Sequence, residues 1–214
     1  MIDATTRPRL ARWPRSEAQR RTLMREAVRI LADGGLVVFP TDTVYGIAAH
    51  AARPEAVERI YAVKRRPPSK QIALLIDDPA VMRELADEVP PKAMLLGQRY
   101  WPGALTLVLR GREAGQTLAV RQPDHPIPRA LIRALGRPLA TTSANLSGQA
   151  SPRTAQDVLA QLPTGYELLI DGGSCPGGTD STVVDCTGAT PRVLRLGALD
   201  RGELEALVGP LEGP

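Results

Sequence analysis

Leu36-Val37-Val38-Phe39-Pro40-Thr41-Asp42-Thr43-Val44-Tyr45-Gly46 is an apolar strand that turns polar halfway along. Successive strand side chains alternate, so Val37, Phe39, Thr41, Thr43 and Tyr45 are expected on one face, where a greasy entry runs into a line of hydroxyls. Such a face suits a cleft better than a core. Pro40 has no N–H to give to a ladder, so regular pairing is expected to break just before the two threonines. The alternative is an edge strand whose threonines serve β propensity alone.

Working outward, Leu23, Ala27, Ile30 and Leu31 recur at helical spacing and predict a helix over Ser16 to Asp33, stopped by Gly34-Gly35. On the other side Pro54 suits a first helical position, and Val57, Ile60, Tyr61 and the stem of Lys64 form one stripe that Pro67-Pro68 ends. Lys64 and Arg66 are thus expected to project from a frayed helix end into a loop. They serve there either a ligand or simply the helix C-terminus, where a cation is worth roughly 0.3–1 kcal/mol.

Ile72 to Ile76 reads as a buried strand, followed by helices over 79–88 and 91–100 and a strand after Trp101-Pro102-Gly103. Leu118 to Arg121 is a strand, and Arg129 to Leu135 a short helix closed by Gly136. His125, between Asp124 and Pro126, reads as a turn-stabilising residue rather than a base. The strand Arg137 to Thr142 runs out into Ser143-Ala144-Asn145-Leu146-Ser147-Gly148. α/β proteins gather ligands at such strand ends, although a plain turn with Ser and Asn bonding their own backbone would also fit. Thr154 and Asp157 form a capping pair for the next helix. Tyr166 to Ile170 is a strand, Asp171 to Gly178 a glycine-rich loop, Ser181 to Asp185 and Arg192 to Leu196 paired strands, and Asp200 to Val208 a terminal helix. Strands alternate with helices early and pair locally late. The expected architecture is α/β: a single domain over residues 16–208, with a twisted mixed parallel and antiparallel sheet flanked by helices, preceded by an N-terminal extension over 1–15.

A chain of 214 residues can bury roughly 70% of its unfolded surface in one core. Its formal charge of +4 and pI near 9.4 favour anionic ligands or nucleic acid. Of 27 basic residues only Lys64, Lys70 and Lys92 are lysine. Two of these stand within one short loop of an otherwise arginine-rich chain, which points to a compact point charge being needed there. Cys175 and Cys186 are too few and too far apart to suggest a disulfide scaffold or, with only His50 and His125, a zinc site. No Walker loop or dinucleotide fingerprint occurs, and no apolar run approaches a membrane span or signal core, so a cytoplasmic protein without membrane partners is expected.

Pro40-Thr41-Asp42-Thr43-Val44-Tyr45-Gly46 resembles the opening motif of the threonylcarbamoyl-adenylate synthase family, enzymes of the YrdC-like fold. Further motifs follow in the family's order: Lys64-x-Arg66, Trp101-Pro102-Gly103, Ala119-Val120-Arg121 with His125-Pro126, Ser143 to Gly148, and Asp171-Gly172-Gly173 leading to Ser181-Thr182-Val183-Val184-Asp185. The resemblance implies condensation of L-threonine, bicarbonate and ATP into threonylcarbamoyl-AMP and pyrophosphate, the product serving downstream threonylcarbamoyl-transferase proteins that modify a tRNA adenosine. It implies a reactive tetrad of Lys64, Arg66, Ser143 and Asn145. Thr41, Thr43, Arg121, Thr141 and Ser181 would line the threonine side, and Arg66, Lys70, Thr117, Ser143, Asn145, Ser151 and Arg195 the nucleotide side. Lys64 would lie between, near the carbamate and α-phosphate.

Magnesium is expected on the ATP polyphosphate, held by phosphates and water with no protein metal ligands. Lys70-Gln71-Ile72 departs from the family's usual Lys-Pro-Leu, so the cation is kept while the resemblance does not specify that loop's conformation. The chain resembles the short, single-domain type. The competing expectation is a YrdC-like RNA-binding protein without synthase activity, contacting tRNA or double-stranded RNA. A third is a carbamoyl-adenylate step in metal-centre assembly, whose family members carry zinc-binding and acylphosphatase parts not found here.

Overall fold

The computed structural model describes residues 7–213. Strand β1 (Arg9–Arg12) and helix α1 (Glu17–Ala32) lead into β2 (Val37–Phe39), β3 (Gly46–His50), α2 (Pro54–Lys64) and β4 (Ala73–Leu75). Helices α3 (Val81–Leu85) and α4 (Pro91–Tyr100), strands β5 (Leu105–Arg110) and β6 (Thr117–Arg121), helix α5 (Pro126–Leu135) and strand β7 (Leu139–Ser143) follow. The chain continues through α6 (Ala155–Gln161), β8 (Leu168–Asp171), β9 (Thr182–Asp185), β10 (Arg192–Arg195) and α7 (Arg201–Val208).

The ten strands form one sheet in the order β1-β8-β2-β3-β7-β4-β6-β5-β9-β10. β8 pairs parallel with both β1 and β2, and β4–β6 and β5–β9 are also parallel. The remaining pairs are antiparallel, so the expected mixed sheet is what forms. Three apolar clusters cover it. Leu23, Ala27 and Leu31 of α1 meet Leu131 of α5 and Val37 and Phe39; Ile60 of α2 meets Val158 of α6 and Val38; Leu96 of α4 meets Leu204 of α7 and Leu107.

Two sequence expectations change. Pro40 ends β2, but Thr41 to Tyr45 do not continue its alternation. The Thr41 hydroxyl accepts from the N–H groups of Thr43 (3.1 Å) and Val44 (3.2 Å) and donates to the Val44 carbonyl (2.7 Å), closing a turn. Because the turn resets the side-chain parity, Tyr45 packs beside Val38 and Ile47, on the opposite side of the sheet from Val37 and Phe39. The chain then returns as β3, with Phe39 opposite Gly46.

The stretch read as an N-terminal extension also contributes structure. β1 pairs with β8, Arg9 N–H donating to Glu167 O at 2.9 Å and Trp13 N–H to Asp171 O at 2.7 Å. The earlier part of that stretch, residues 1–6, lies outside the described residues.

Several helix ends match their sequence signals, although α5 starts at Pro126, before the expected Arg129, and α3 is shorter than the expected 79–88. Thr154 and Asp157 make a reciprocal capping box, and His125 caps α5 by accepting from Ile127 N–H at 3.3 Å, the turn-stabilising role expected of it. α2 stops at Arg65, whose φ of 49° lies in the left-handed region. That stop determines where Lys64 and Arg66 can go.

Candidate active site

β7 lies between β3 and β4 and releases the chain at Ser143, where the next residues are caught by two neighbours. Ala144 N–H donates to Tyr45 O at 2.8 Å, and Ser147 N–H to Lys64 O at 2.9 Å. The Lys64 side chain reaches the same segment from α2. Its ammonium donates to the Ser143 carbonyl, to the Asn145 carbonyl at 2.5 Å and to Asn145 Oδ1 at 3.1 Å. Ser143 Oγ donates to the same Oδ1 at 2.5 Å, and Asn145 Nδ2 donates to the carbonyls of Leu146 (3.0 Å) and Gln149 (2.6 Å).

Lys64 is only 1% exposed, so the expectation that it projects into a loop is corrected: the left-handed residue after it turns the backbone away while its side chain goes inward. Burial, with a further push from the Arg66 guanidinium, lowers its pKa from 10.5 to about 7. Three acceptor oxygens around Nζ fix the position of the side chain.

A second cluster forms where the Thr41 turn meets the end of β6. Arg121 is 7% exposed and donates through Nε to Gly103 O (2.9 Å), through Nη1 to Thr43 Oγ1 (2.9 Å) and through Nη2 to Asp42 Oδ1 (2.7 Å). Burial lowers the guanidinium's pKa and Asp42 opposes the shift. With five N–H groups and three committed, two remain for a ligand. Thr41 and Thr43 share a hydrogen bond at 3.0 Å between their hydroxyls. Opposite the start of β9, Ser181 Oγ and Thr106 Oγ1 share one at 2.8 Å, and Arg195 Nη2 donates to Ser181 O at 2.9 Å.

These groups line one cleft of about 420 Å³. Of the residues predicted from sequence, Thr41, Thr43, Arg66, Lys70, Arg121, Thr141, Ser143, Ser181 and Arg195 are on its wall. Lys64 and Asn145 are buried behind that wall, braced against Ser143. Thr117 and Ser151 are not on it: the Thr117 carbonyl accepts from Gln71 Nε2, and Ser151 Oγ donates to Asp180 Oδ1 at 3.0 Å. The Lys70-Gln71 loop, whose departure from the family wording left its course open, is held by Arg66, which donates to Lys70 O (2.9 Å) and Gln71 O (2.7 Å).

The wall also includes Thr106, Asp180 and Leu194, which the sequence reading did not single out. Thr106 lies inside an ordinary alternating strand. Asp180 directly precedes the Ser181-Thr182 motif and was within reach of that signal. Cys175 and Cys186 are buried free thiols, which burial pushes up to about 11 and about 12. Among the described residues no group of three His, Cys, Asp or Glu is placed to hold a metal ion, and no helix is long and apolar enough to cross a membrane. The cleft therefore combines cations, hydroxyls and one carboxylate, a donor set suited to an anionic ligand.

The family model Sua5_yciO_yrdC, described as telomere recombination, matches residues 29–197. The chain is 40% identical over 195 residues to the threonylcarbamoyl-AMP synthase of Bacillus subtilis (strain 168), covering 87% of this chain and 56% of that protein. The crystal structure of P. abyssi Sua5 complexed with L-threonine superposes with a TM-score of 0.88 at 38% identity, covering 97% of this chain and 62% of that one. E. coli YciO superposes at 0.80 with 29% identity, over 90% of this chain and 97% of its own. The chain spans little more than half the length of the B. subtilis and P. abyssi synthases, 56% and 58% respectively.

Proposed function

Since the chain belongs to the Sua5/YciO/YrdC family, we propose that it is an L-threonylcarbamoyladenylate synthase, joining L-threonine, bicarbonate and ATP into threonylcarbamoyl-AMP with release of pyrophosphate. One observation carries this reading. A buried arginine–threonine cluster (Arg121, Thr43), the end of β7 carrying Ser143 and the loop after α2 carrying Arg66 share one cleft.

In the proposed reaction, the two uncommitted N–H groups of Arg121 take the threonine carboxylate. Small hydroxyls of Thr41, Thr43, Thr141 and Ser181 receive its hydroxyl and amine. The threonine ammonium gives up a proton, and the free amine then joins bicarbonate to form a carbamate with loss of water. A carbamate oxygen then attacks the α-phosphorus, the new C–O–P link forms, the bond to the β-phosphate breaks, and pyrophosphate leaves. Arg66, Lys70, Ser143 and Arg195 neutralise and orient the phosphates, so catalysis is positioning and charge stabilisation, with no covalent enzyme intermediate.

Lys64 takes part by fixing the Ser143–Asn145 segment, and Asn145 by orienting Ser143. Thr117 and Ser151 belong to the nucleotide side through the loops they hold. Magnesium arrives with ATP as part of the substrate, held by phosphates and water. The product passes to a threonylcarbamoyl-transferase that modifies a tRNA adenosine in the cytoplasm.

An RNA-binding module is the reading that the +4 charge favours. Against it, Lys64 and Arg121 are 1% and 7% exposed, too buried to meet a phosphate backbone. The test is pyrophosphate release: the synthase reading requires it to depend on both threonine and bicarbonate. Saturating ATP and threonine together should also raise the melting temperature more than either alone. Equal release without threonine would overturn the reading.

A further inference from the structure

Asp180 is the only Asp or Glu among the described residues lining a cleft that also holds Arg66, Lys70, Arg121 and Arg195. A carboxylate facing an anion site lowers affinity unless it does something else there. Each of its oxygens has its own partner: Oδ1 accepts from Ser151 Oγ at 3.0 Å, and Oδ2 pairs with Arg195 Nη1 at 3.4 Å. Ser151 lies in the segment between β7 and α6, and Arg195 at the end of β10, so one carboxylate ties together two separate chain segments.

Its own backbone is fixed as well. Ala198 N–H donates to Asp180 O at 3.0 Å, and Gly197 packs so closely that a Cβ there would stand 2.1 Å from that oxygen. Arg195 is further held by Ser181, whose carbonyl accepts from Nε at 3.2 Å and Nη2 at 2.9 Å. The guanidinium is thus contacted at all three nitrogens, along one edge by Ser181 and at the third nitrogen by Asp180.

We propose that Asp180 is a positioning residue of the nucleotide side, holding Arg195 and the Ser151 loop in the arrangement that receives ATP. The proposal rests on the synthase reading above. It explains why Ser151, which motif position assigns to the nucleotide, turns its only proton toward Asp180 and stays off the cleft wall. Ser151 acts through its loop, and Arg195 by contact.

The test compares Asp180→Asn, Asp180→Glu, Arg195→Ala and Asp180→Asn/Arg195→Ala with wild type. ATP and L-threonine affinities are measured separately by calorimetry, with melting temperatures. Asn keeps an oxygen for Ser151 but removes the charge that holds Arg195. Since the pair is partly exposed, ATP affinity should weaken roughly three- to tenfold in Asp180→Asn, with threonine affinity changed by less than about twofold and Glu recovering part of the loss. In the Arg195→Ala background the Asn change should do nothing further.

Asp180→Asn binding ATP as well as or better than wild type would overturn the proposal, since the carboxylate would then merely repel the nucleotide. A parallel loss of threonine binding and melting temperature would also overturn it, as would additivity with Arg195→Ala. Wild-type protein that binds no ATP would remove the synthase reading itself, an outcome distinct from the other three.

Discussion

Lys64 Nζ donates to the main-chain oxygen of Asn145 at 2.5 Å, across 81 residues of sequence. A helix end and a strand end are thereby fixed to each other by one ammonium, which also holds the Ser143 carbonyl and Asn145 Oδ1. The lysine works from behind the cleft wall.

Lys64→Met keeps most of the unbranched side chain and removes the charged end, leaving those acceptors buried without it. Unfolding free energy should fall by about 2–4 kcal/mol, measured by denaturant unfolding. Turnover should fall even at temperatures where the variant is folded, because Ser143 loses its brace. A variant as stable as wild type would contradict the bracing role.

The same lysine gives stability a pH dependence of definite sign. Its pKa is about 7 in the folded protein and 10.5 in the unfolded reference, so between these values the unfolded chain binds more protons there. The group's contribution therefore rises with pH through that window and is lost as pH falls toward its lower end. The unfolding free energy of wild type relative to Lys64→Met should increase between about pH 7 and pH 9. A flat difference would mean that the ammonium keeps its ordinary pKa in the fold, and a falling one would contradict a lowered pKa outright.

Arg121→Lys exchanges a planar fork for a point charge and cannot serve Gly103, Thr43 and Asp42 while presenting two N–H groups to a carboxylate. Threonine affinity should weaken by about 10²-fold, with ATP affinity changed by less than about tenfold. Calorimetric titration of each ligand checks the split. Equal losses for both ligands would deny Arg121 its place on the threonine side.

Much of this was legible in the chain because the signals are local. Pro54, Thr154 with Asp157, and Gly136 mark helix ends by backbone chemistry, and the structure has helices ending there. Motif order brought nine predicted residues to one cleft wall. What was not legible depends on long-range pairing. β1 is a short, arginine-rich stretch whose only argument for being a strand is the open edge of β8, about 160 residues away. The resetting of parity by the Thr41 hydroxyl, and the inward course of Lys64, follow from which groups are left unpaired, and no periodicity encodes that.

Arg65 and Arg66 are neighbours in sequence with different work. Arg65→Gly relieves a residue at φ 49° and should add about 0.5–1 kcal/mol of stability while leaving turnover unchanged. Arg66→Ala removes a cleft cation that also holds the Lys70 and Gln71 carbonyls. It should lower threonine-dependent pyrophosphate release by roughly 10²–10³-fold, on the order of 2–4 kcal/mol. An RNA-binding face would respond to both losses alike, through salt-sensitive phosphate contacts. Equal damage from the two substitutions would favour that face.

The central claim is the bond formed in the cleft, and mass spectrometry of a reaction containing ATP, magnesium, L-threonine and ¹³C-bicarbonate reads it directly. The predicted result is a threonylcarbamoyl-AMP ion carrying a single ¹³C, absent when threonine, bicarbonate or ATP is left out, and strongly reduced in Arg66→Ala. Protein that binds ATP and threonine yet yields no labelled adenylate, or that releases pyrophosphate equally without threonine, would contradict it.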